Sequence, residues 1–571
     1  MRIVDWIVLV ASLGLIVYVG VTKSRGSRNT KQFFLANRSL PWWIIGLSVM
    51  ATQASAITLI GTTGQAYVDG MRFVQFYFGL PIAMVILCAT LIPFFYRANV
   101  YTAYEYLEQR FDAKTRLLSS LLFILSRGMS LGVVIYAPAI VLSIILGWEI
   151  KATILVMAAT ATFYTSFGGI QAEIWADVYK MYLMFASIFI CLGLILFNLP
   201  SEVSLSDAAY LAGLTGHLKA IDLSVDPKNE FTLWSGLIAG LFLMLSYFGC
   251  DQSQVQRYLT VRSLKESRLS LMFNAFLKVP MQFFILSIGV LLFVFYHFEK
   301  PPLGFDKRGL ERVQASPYRD QFNALQARYD QVFEQRRQAA HALIAARHNH
   351  NPSEQQQARR HYRALHDELM QLRRQSAELM SRASGENYND TNYIFPSFII
   401  RYFPAGILGL IIAAIMAAAM SAMDSELNAL STVTVMDIYK RHLKPVADER
   451  HYLMVSRIST ALWGAFAASF AMYAGALGSV VVAVNKVGSY FYGSLLGVFV
   501  LAIATKRATG RGAFWGLLAG MASVYAASRA TDIAFLWFNI VGCVVVVVVG
   551  YVLSLTDRQA APATMSLQER R

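Results

Sequence analysis

Gly406-Ile-Leu-Gly-Leu410 opens an apolar run that crosses an Ala-rich stretch, continues as Met420-Ser-Ala-Met-Asp-Ser-Glu-Leu-Asn428 and closes as Ser431-Thr-Val-Thr-Val-Met-Asp-Ile-Tyr-Lys440. Ala414, Ala418, Ser421, Ser425, Asn428 and Thr432 are spaced 4, 3, 4, 3 and 4. On a helix that spacing makes one stripe of small and hydroxyl residues. In lipid such a stripe lets a second helix approach closely and points oxygens at whatever lies opposite. Asp424 sits at the edge of the stripe, about 30 Å of helix beyond Pro404. A carboxylate at that depth is costly unless it faces a partner or a wet cavity. A close-packed helix pair with an interfacial acid gives the same pattern, so the rest of the chain has to decide.

The 571 residues are 56% hydrophobic and only 15% charged, which is too apolar for a soluble protein and argues a polytopic membrane protein. The net charge of +15 falls in short clusters between apolar runs rather than in one patch, which argues against nucleic acid as a partner. Cys88, Cys191, Cys250 and Cys543 all lie in apolar runs, so neither disulfides nor a metal-ligand spacing is expected. Residues 3–21 are apolar with no cleavage site of small residues after them and read as an anchor.

Thirteen segments are long enough to span a bilayer at about 20 residues each. They are 3–22, 42–68, 72–97, 117–146, 150–168, 174–198, 231–256, 270–297, 395–436, 453–475, 478–504, 511–529 and 533–555. The first loop holds Lys23, Arg25, Arg28, Lys31 and Arg38 with no acid, and later loops on the same side are also basic. The expected location is therefore the cell membrane, with the N-terminus outside and the C-terminal tail in the cytoplasm. Residues 298–394 break the pattern. Apolar residues recur at helical spacing on either side of His348-Asn-His-Asn-Pro-Ser-Glu354, which predicts a helical hairpin outside the membrane, broken and capped at Pro352 and Ser353. It reads as a separable accessory with room for an extracytoplasmic partner. His341, His348 and His350 are read as surface residues rather than metal ligands.

Two spans are interrupted by small residues in corresponding places, at Ala51-Thr-Gln-Ala-Ser-Ala-Ile-Thr58 and at Ser246-Tyr-Phe-Gly-Cys-Asp-Gln252. Paired broken helices point to a transporter site, because unwound backbone frees carbonyls for a cation and amides for a substrate. Between them, Gly168 and Gly169 make a turn in Tyr164-Thr-Ser-Phe-Gly-Gly-Ile-Gln-Ala-Glu-Ile-Trp-Ala-Asp177, and Asp177 enters the sixth span.

Together with Ser39-Leu-Pro-Trp-Trp43, Val255-Gln-Arg257 and Phe276-Leu-Lys278, these stretches resemble the sodium:solute symporter family, its sodium/glucose and sodium/galactose members most closely. The resemblance implies an all-α membrane protein with a core of two inverted five-helix repeats that rock about a midplane site. On that reading the chain divides into 1–41 (an extra span and cytoplasmic loop), 42–198 (first repeat), 199–230 (outer loop), 231–297 (start of the second repeat), 298–394 (hairpin), 395–504 (rest of the second repeat) and 505–571 (two further spans and a tail).

The resemblance also implies ligands. The main sodium site would use carbonyls of Ala51, Ala54 and Ala418 and the hydroxyl of Ser421. Ala422 stands where the family usually has a second hydroxyl. A further sodium would lie among Asp177, Ser421 and Ser425, with Asp424 as an added carboxylate, and two sodium ions per solute are expected. Substrate-binding candidates are Gln53, Thr58, Gln75, Tyr77, Tyr247, Lys278 and Asn485, with Arg127 as a further buried cation on the fourth span. Thr58 and Tyr77 depart from the side chains that contact sugar in the family. The expected activity is sodium-coupled uptake of a small polar solute, a sugar or polyol first. The alternatives are an acidic solute, such as a sialic acid or a carboxylate neutralised by Lys278 and Arg127, and a solute sensor on the transporter fold, against which the short tail after Leu555 argues. No nucleophile–base or catalytic metal set suggests an enzyme.

Overall fold

The computed structural model describes residues 1–24, 30–98, 100–385, 387–474 and 479–557; Arg25 and Arg28 of the first basic loop, and the tail beyond 557, lie outside the described residues. Apart from one parallel bridge between Leu40 and Val261, the regular structure described is helical. Helix covers each of the thirteen apolar segments. Nine stretches among the described residues are long and apolar enough to cross a membrane unaided. The other segments are broken, short or joined to a neighbour, and two of the breaks position the site.

The second span is broken where the sequence predicts. Trp42–Gln53 ends with Ala54 at φ −89°, ψ 65°, and Ala56–Asp69 starts afresh with the Ser55 hydroxyl accepting from the amide of Ile57 at 3.2 Å. The seventh span is broken likewise: Gly240–Gly249 gives way to Gln252–Tyr258, whose first turn is capped by Asp251 accepting from the amide of Ser253 at 2.9 Å. The fifth and sixth spans form one element, Ile150–Phe197, kinked at Gly169 (φ 62°, ψ 175°), a conformation glycine adopts without penalty.

The stretch that opened the sequence reading is the helix Ile407–Val433, buried almost all round and continued by a π-helical turn, Thr434–Leu443. A separate short helix, Thr391–Tyr402, precedes it. The helix start is capped from far away. Asp5, on the first span (Ile3–Ser24), is buried and accepts from the amides of Gly406 at 2.7 Å and Gly409 at 3.2 Å. A carboxylate on the free amides of a helix N-terminus satisfies both partners of a costly burial.

The hairpin consists of Arg319–His348 and Pro352–Ser384. Its cap is Asn351, whose side chain accepts from the amides of Ser353 and Glu354, and Pro352 takes the first helical position. It is not free-standing. Arg347 donates to Asp207 at 2.9 Å on the helix Leu205–Leu214, Arg336 donates to the carbonyl of Tyr296 at 2.7 Å, and Tyr362 meets His297 at 2.5 Å. The last two contacts are to the end of the eighth span, Leu264–Phe298. These two tether the hairpin to the eighth span through buried polar groups, so the hairpin is docked on the core rather than free-standing. His348 lies 3.2 Å from Asp207 and His350 faces the carbonyl of Arg347, so the histidines serve hairpin contacts.

Candidate functional site

The stripe on Ile407–Val433 faces the sixth span as a ladder. Glu173, Asp177 and Lys180 are spaced 4 and 3 and share one face of their helix. Ser421 donates to Asp177 at 2.7 Å, Ser425 to Glu173 at 2.8 Å, and the Asn428 amide to Glu173 at 3.2 Å. The helices run past each other in opposite senses, so each hydroxyl meets a different carboxylate. Thr52, beside the break in the second span, closes the triangle at 3.0 Å from Ser425.

The charges at this crossing pair internally. The Lys180 ammonium is fully buried, 3.2 Å from Asp177 and 3.1 Å from Asp424. Arg257, from the second half of the broken seventh span, pairs with Glu173 and lies 3.4 Å from Asp177. Ser48 donates to Asp177 at 2.6 Å and Thr165 to Asp424 at 3.0 Å. All six oxygens of Glu173, Asp177 and Asp424 therefore accept at least one hydrogen bond. The structure does bring Asp177, Asp424, Ser421 and Ser425 together as the sequence reading expects. The charge between the two aspartates, however, is Lys180 Nζ, a residue that reading did not single out. Its signal was a lysine one turn past Asp177 in an otherwise apolar span.

Ala51, Ala54, Ala418 and Ser421 are all buried around the break of the second span, where the backbone leaves helical geometry. Carbonyls released there at Ala51 and Ala54, and a Ser421 oxygen that donates its proton to Asp177 and keeps lone pairs, suit a hard monovalent cation, while Ala418 lies inside the unbroken helix Ile407–Val433. These residues fit sodium.

Next to this break lies a partly open cavity. Gln53, Thr58, Tyr77, Tyr247 and Asn485 line it, joined by Thr52, Phe76, Arg127, Ala422, Glu426 and Tyr492. Five of the seven substrate candidates are thus brought together. Gln75 is not among them: its amide donates to the carbonyl of Phe231 at 3.0 Å and its oxygen accepts from the Asp222 amide at 2.9 Å, tying down the loop before the seventh span. Nor is Lys278, which is fully buried with its ammonium 5.7 Å from the Tyr77 ring and no hydrogen-bond acceptor among the described residues. Lys278 stands behind the cavity wall.

Arg127 takes the place in the cavity that Lys278 does not. It pairs with Glu426 at 2.8 Å and with Asp251, and its guanidinium lies 5.1 Å from the Tyr247 ring and 5.6 Å from that of Tyr492. Glu426 and Asp424 are two residues apart and point about 200° from each other around the helix. One serves the cavity and the other the Lys180 cluster. Glu426 Oε2 and Gln53 Oε1 have no protein partner among the described residues. The trio of Arg127, Asp251 and Glu426 carries a net formal charge of −1.

A match to the profile of the Sodium:solute symporter family covers residues 33–300 and 372–520. The chain belongs to the sodium:solute symporter family. It is 26% identical over 565 residues to the sodium/sialic acid symporter NanT of Aliivibrio fischeri, covering 96% of this chain and 92% of that one. It is 27% identical to the human sodium/iodide cotransporter over 534 residues, 92% of this chain and 69% of that protein. A solved structure of a Na⁺-coupled sialic acid symporter, substrate-bound and outward-open, superposes with a TM-score of 0.75 at 25% identity and covers 97% of this chain and 98% of that one. The protein is a sodium-coupled symporter with the transporter fold of that structure, and Na⁺ is its coupling ion.

Proposed function

We propose that the solute is a small carboxylic acid bearing hydroxyl or amide groups, and that one sodium ion accompanies it. The observation that carries this reading is Arg127, a buried guanidinium opening into the central cavity beside Gln53, Thr58 and Asn485. A guanidinium binds a carboxylate through two parallel hydrogen bonds, while the polar groups suit the rest of such a solute. The relatives named above carry sialic acid and iodide, both anions, in their names. The first expectation from the sequence, a neutral sugar, has less support.

Arg127 is held by two carboxylates, Asp251 and Glu426. A solute carboxylate would displace Glu426 from Nη1, leaving two negative groups close together. Sodium at Ala51, Ala54, Ala418 and Ser421, beside Ala422 and one turn from Glu426, offsets that repulsion. The net −1 of the trio therefore favours sodium binding before the acid. Uptake into proteoliposomes under a sodium gradient, with labelled carboxylates, sugars and polyols in competition, tests the reading. Competition by carboxylates alone is expected, and competition by neutral sugars alone would refute it.

A further inference from the structure

The hairpin side of the molecule holds a second cavity, larger in outline than the central one and separate from it. Arg336, Arg373 and Arg374 of the hairpin face Tyr67 at the end of the second span, Tyr296 at the end of the eighth, and Asp390 just before Thr391–Tyr402. Three guanidinium groups and one carboxylate leave a formal surplus of +2. Asp390 is committed to Arg373, which lies 3.4 Å away and also donates to the Tyr67 hydroxyl at 3.2 Å. Arg336 is 3% exposed. Its Nη2 donates to the Tyr296 carbonyl, but its Nε has no acceptor and no acid pairs with it among the described residues.

A buried guanidinium without a carboxylate is an unusual state, since buried charges are paired or solvated. The Phe333 ring, 5.2 Å from the guanidinium, offers a cation–π contact but no counter-charge. The nearby histidines, His217 and His366, are held neutral by burial, the first pushed down to about 4 and the second to about 3. The four tyrosines of the cavity, Tyr67, Tyr296, Tyr329 and Tyr388, bring aromatic walls and hydroxyls but no charge. The missing component is an anion of modest size.

We propose that this cavity is a second anion site, which binds a small carboxylate on Arg336 and Arg374 between the hairpin and the transporter core. Arg336 lies in the segment between residues 300 and 372 that the family match leaves out, so the site depends on the hairpin. An anion bound there also bridges the hairpin to the second and eighth spans, both of which contribute to the cavity wall.

The test uses the full-length protein in lipid nanodiscs with acetate, lactate and sialic acid as probes, and calorimetry as the readout. Arg127→Gln removes the central guanidinium. In that background one saturable anion-binding event is expected to persist, and adding Arg336→Gln with Arg374→Gln should weaken it at least tenfold. Loss of all anion binding in Arg127→Gln alone would overturn the proposal, as would an unchanged affinity in the triple variant. Should Arg336→Gln misfold, Arg374→Gln alone, at an exposed position, should still weaken binding severalfold, and no change there overturns the proposal equally. Parallel uptake assays identify the occupant. Binding confined to acids that are transported marks the solute itself, and binding of acids that are not transported marks a separate effector; either outcome sustains the site. Absence of acid uptake by the wild type would sink the proposed solute and leave this binding test standing.

Discussion

Replacing Lys180 by glutamine is the most informative perturbation. Its ammonium lies 3.2 and 3.1 Å from two buried aspartates, and on the proposed one-sodium reading it stands where a second coupling cation would. Removing one partner from a buried ion pair costs about 3–5 kcal/mol. In Lys180→Gln the freed oxygens of Asp177 and Asp424 should then take up sodium, and sodium at a hundred times its Kd returns about 2.7 kcal/mol. The consequence for transport is large. One sodium with a monoanion moves no net charge, so a tenfold sodium gradient supports about tenfold accumulation whatever the voltage. Two sodium ions move one net charge, and 100 mV multiplies the squared gradient by about 50, to about 5,000-fold. Wild-type uptake in proteoliposomes should therefore ignore a potassium-diffusion potential and show a sodium Hill coefficient near one. Lys180→Gln should melt lower in potassium than in sodium by a wider margin than wild type, and its residual uptake should become voltage-dependent. A wild-type Hill coefficient near two with voltage-driven accumulation would refute the assignment of Lys180 as the second cation.

Further expectations bear on solute, topology and the hairpin. Arg127→Gln should reduce acid uptake at least tenfold while sodium binding, measured with ²²Na⁺ in the absence of solute, persists; equal loss of both would make Arg127 structural. Cysteine at Gln338, exposed on the hairpin, should react with an impermeant maleimide in intact cells, and cysteine at Val446, which is 88% exposed, only after permeabilisation; the reverse pattern would invert the topology. Asn351→Ala should loosen the hairpin turn by about 1 kcal/mol, read by hydrogen exchange over residues 345–360; unchanged exchange there would show that the cap contributes nothing. His217 and His366 have depressed values when folded, about 4 and about 3, so the docked hairpin is fully stable above about 6.5, their unfolded value, and loses stability as pH falls towards those folded values. Protease protection of the hairpin should drop between pH 7.5 and 4.5, and equal protection at both would exclude the histidines.

The spans, both helix breaks and the hairpin were legible because each rests on a local signal: apolar length, small residues at a break, or helical spacing with a Pro. The stripe of small and polar residues was legible for the same reason, since Ser421, Ser425 and Asn428 share one face. What lines up with that face was not. Lys180 and Arg257 reach it from helices 244 and 168 residues away in sequence from their partners Asp424 and Ser425, and no local pattern encodes such pairing. Glu426 was hidden by its neighbour: two residues from Asp424 it reads as part of the same acidic patch, yet it faces the opposite way. Lys278 and Gln75 show the converse. Their residue types suit a polar solute, and only packing reveals that one stands behind Tyr77 and the other secures a loop.

The cap that Asp5 places on Gly406 and Gly409 also sets a timetable for biogenesis. The acid is made before its partner amides, which follow 401 and 404 residues later. At about 5–20 residues per second the ribosome needs about 20–80 s to deliver them. Throughout that interval the Asp5 carboxylate has only the Arg2 amide of its own segment as a partner, which favours a position at the membrane surface. The ninth span, when it arrives, locks the first span into place, so completion of the inner core and retention of the first helix become a single late event.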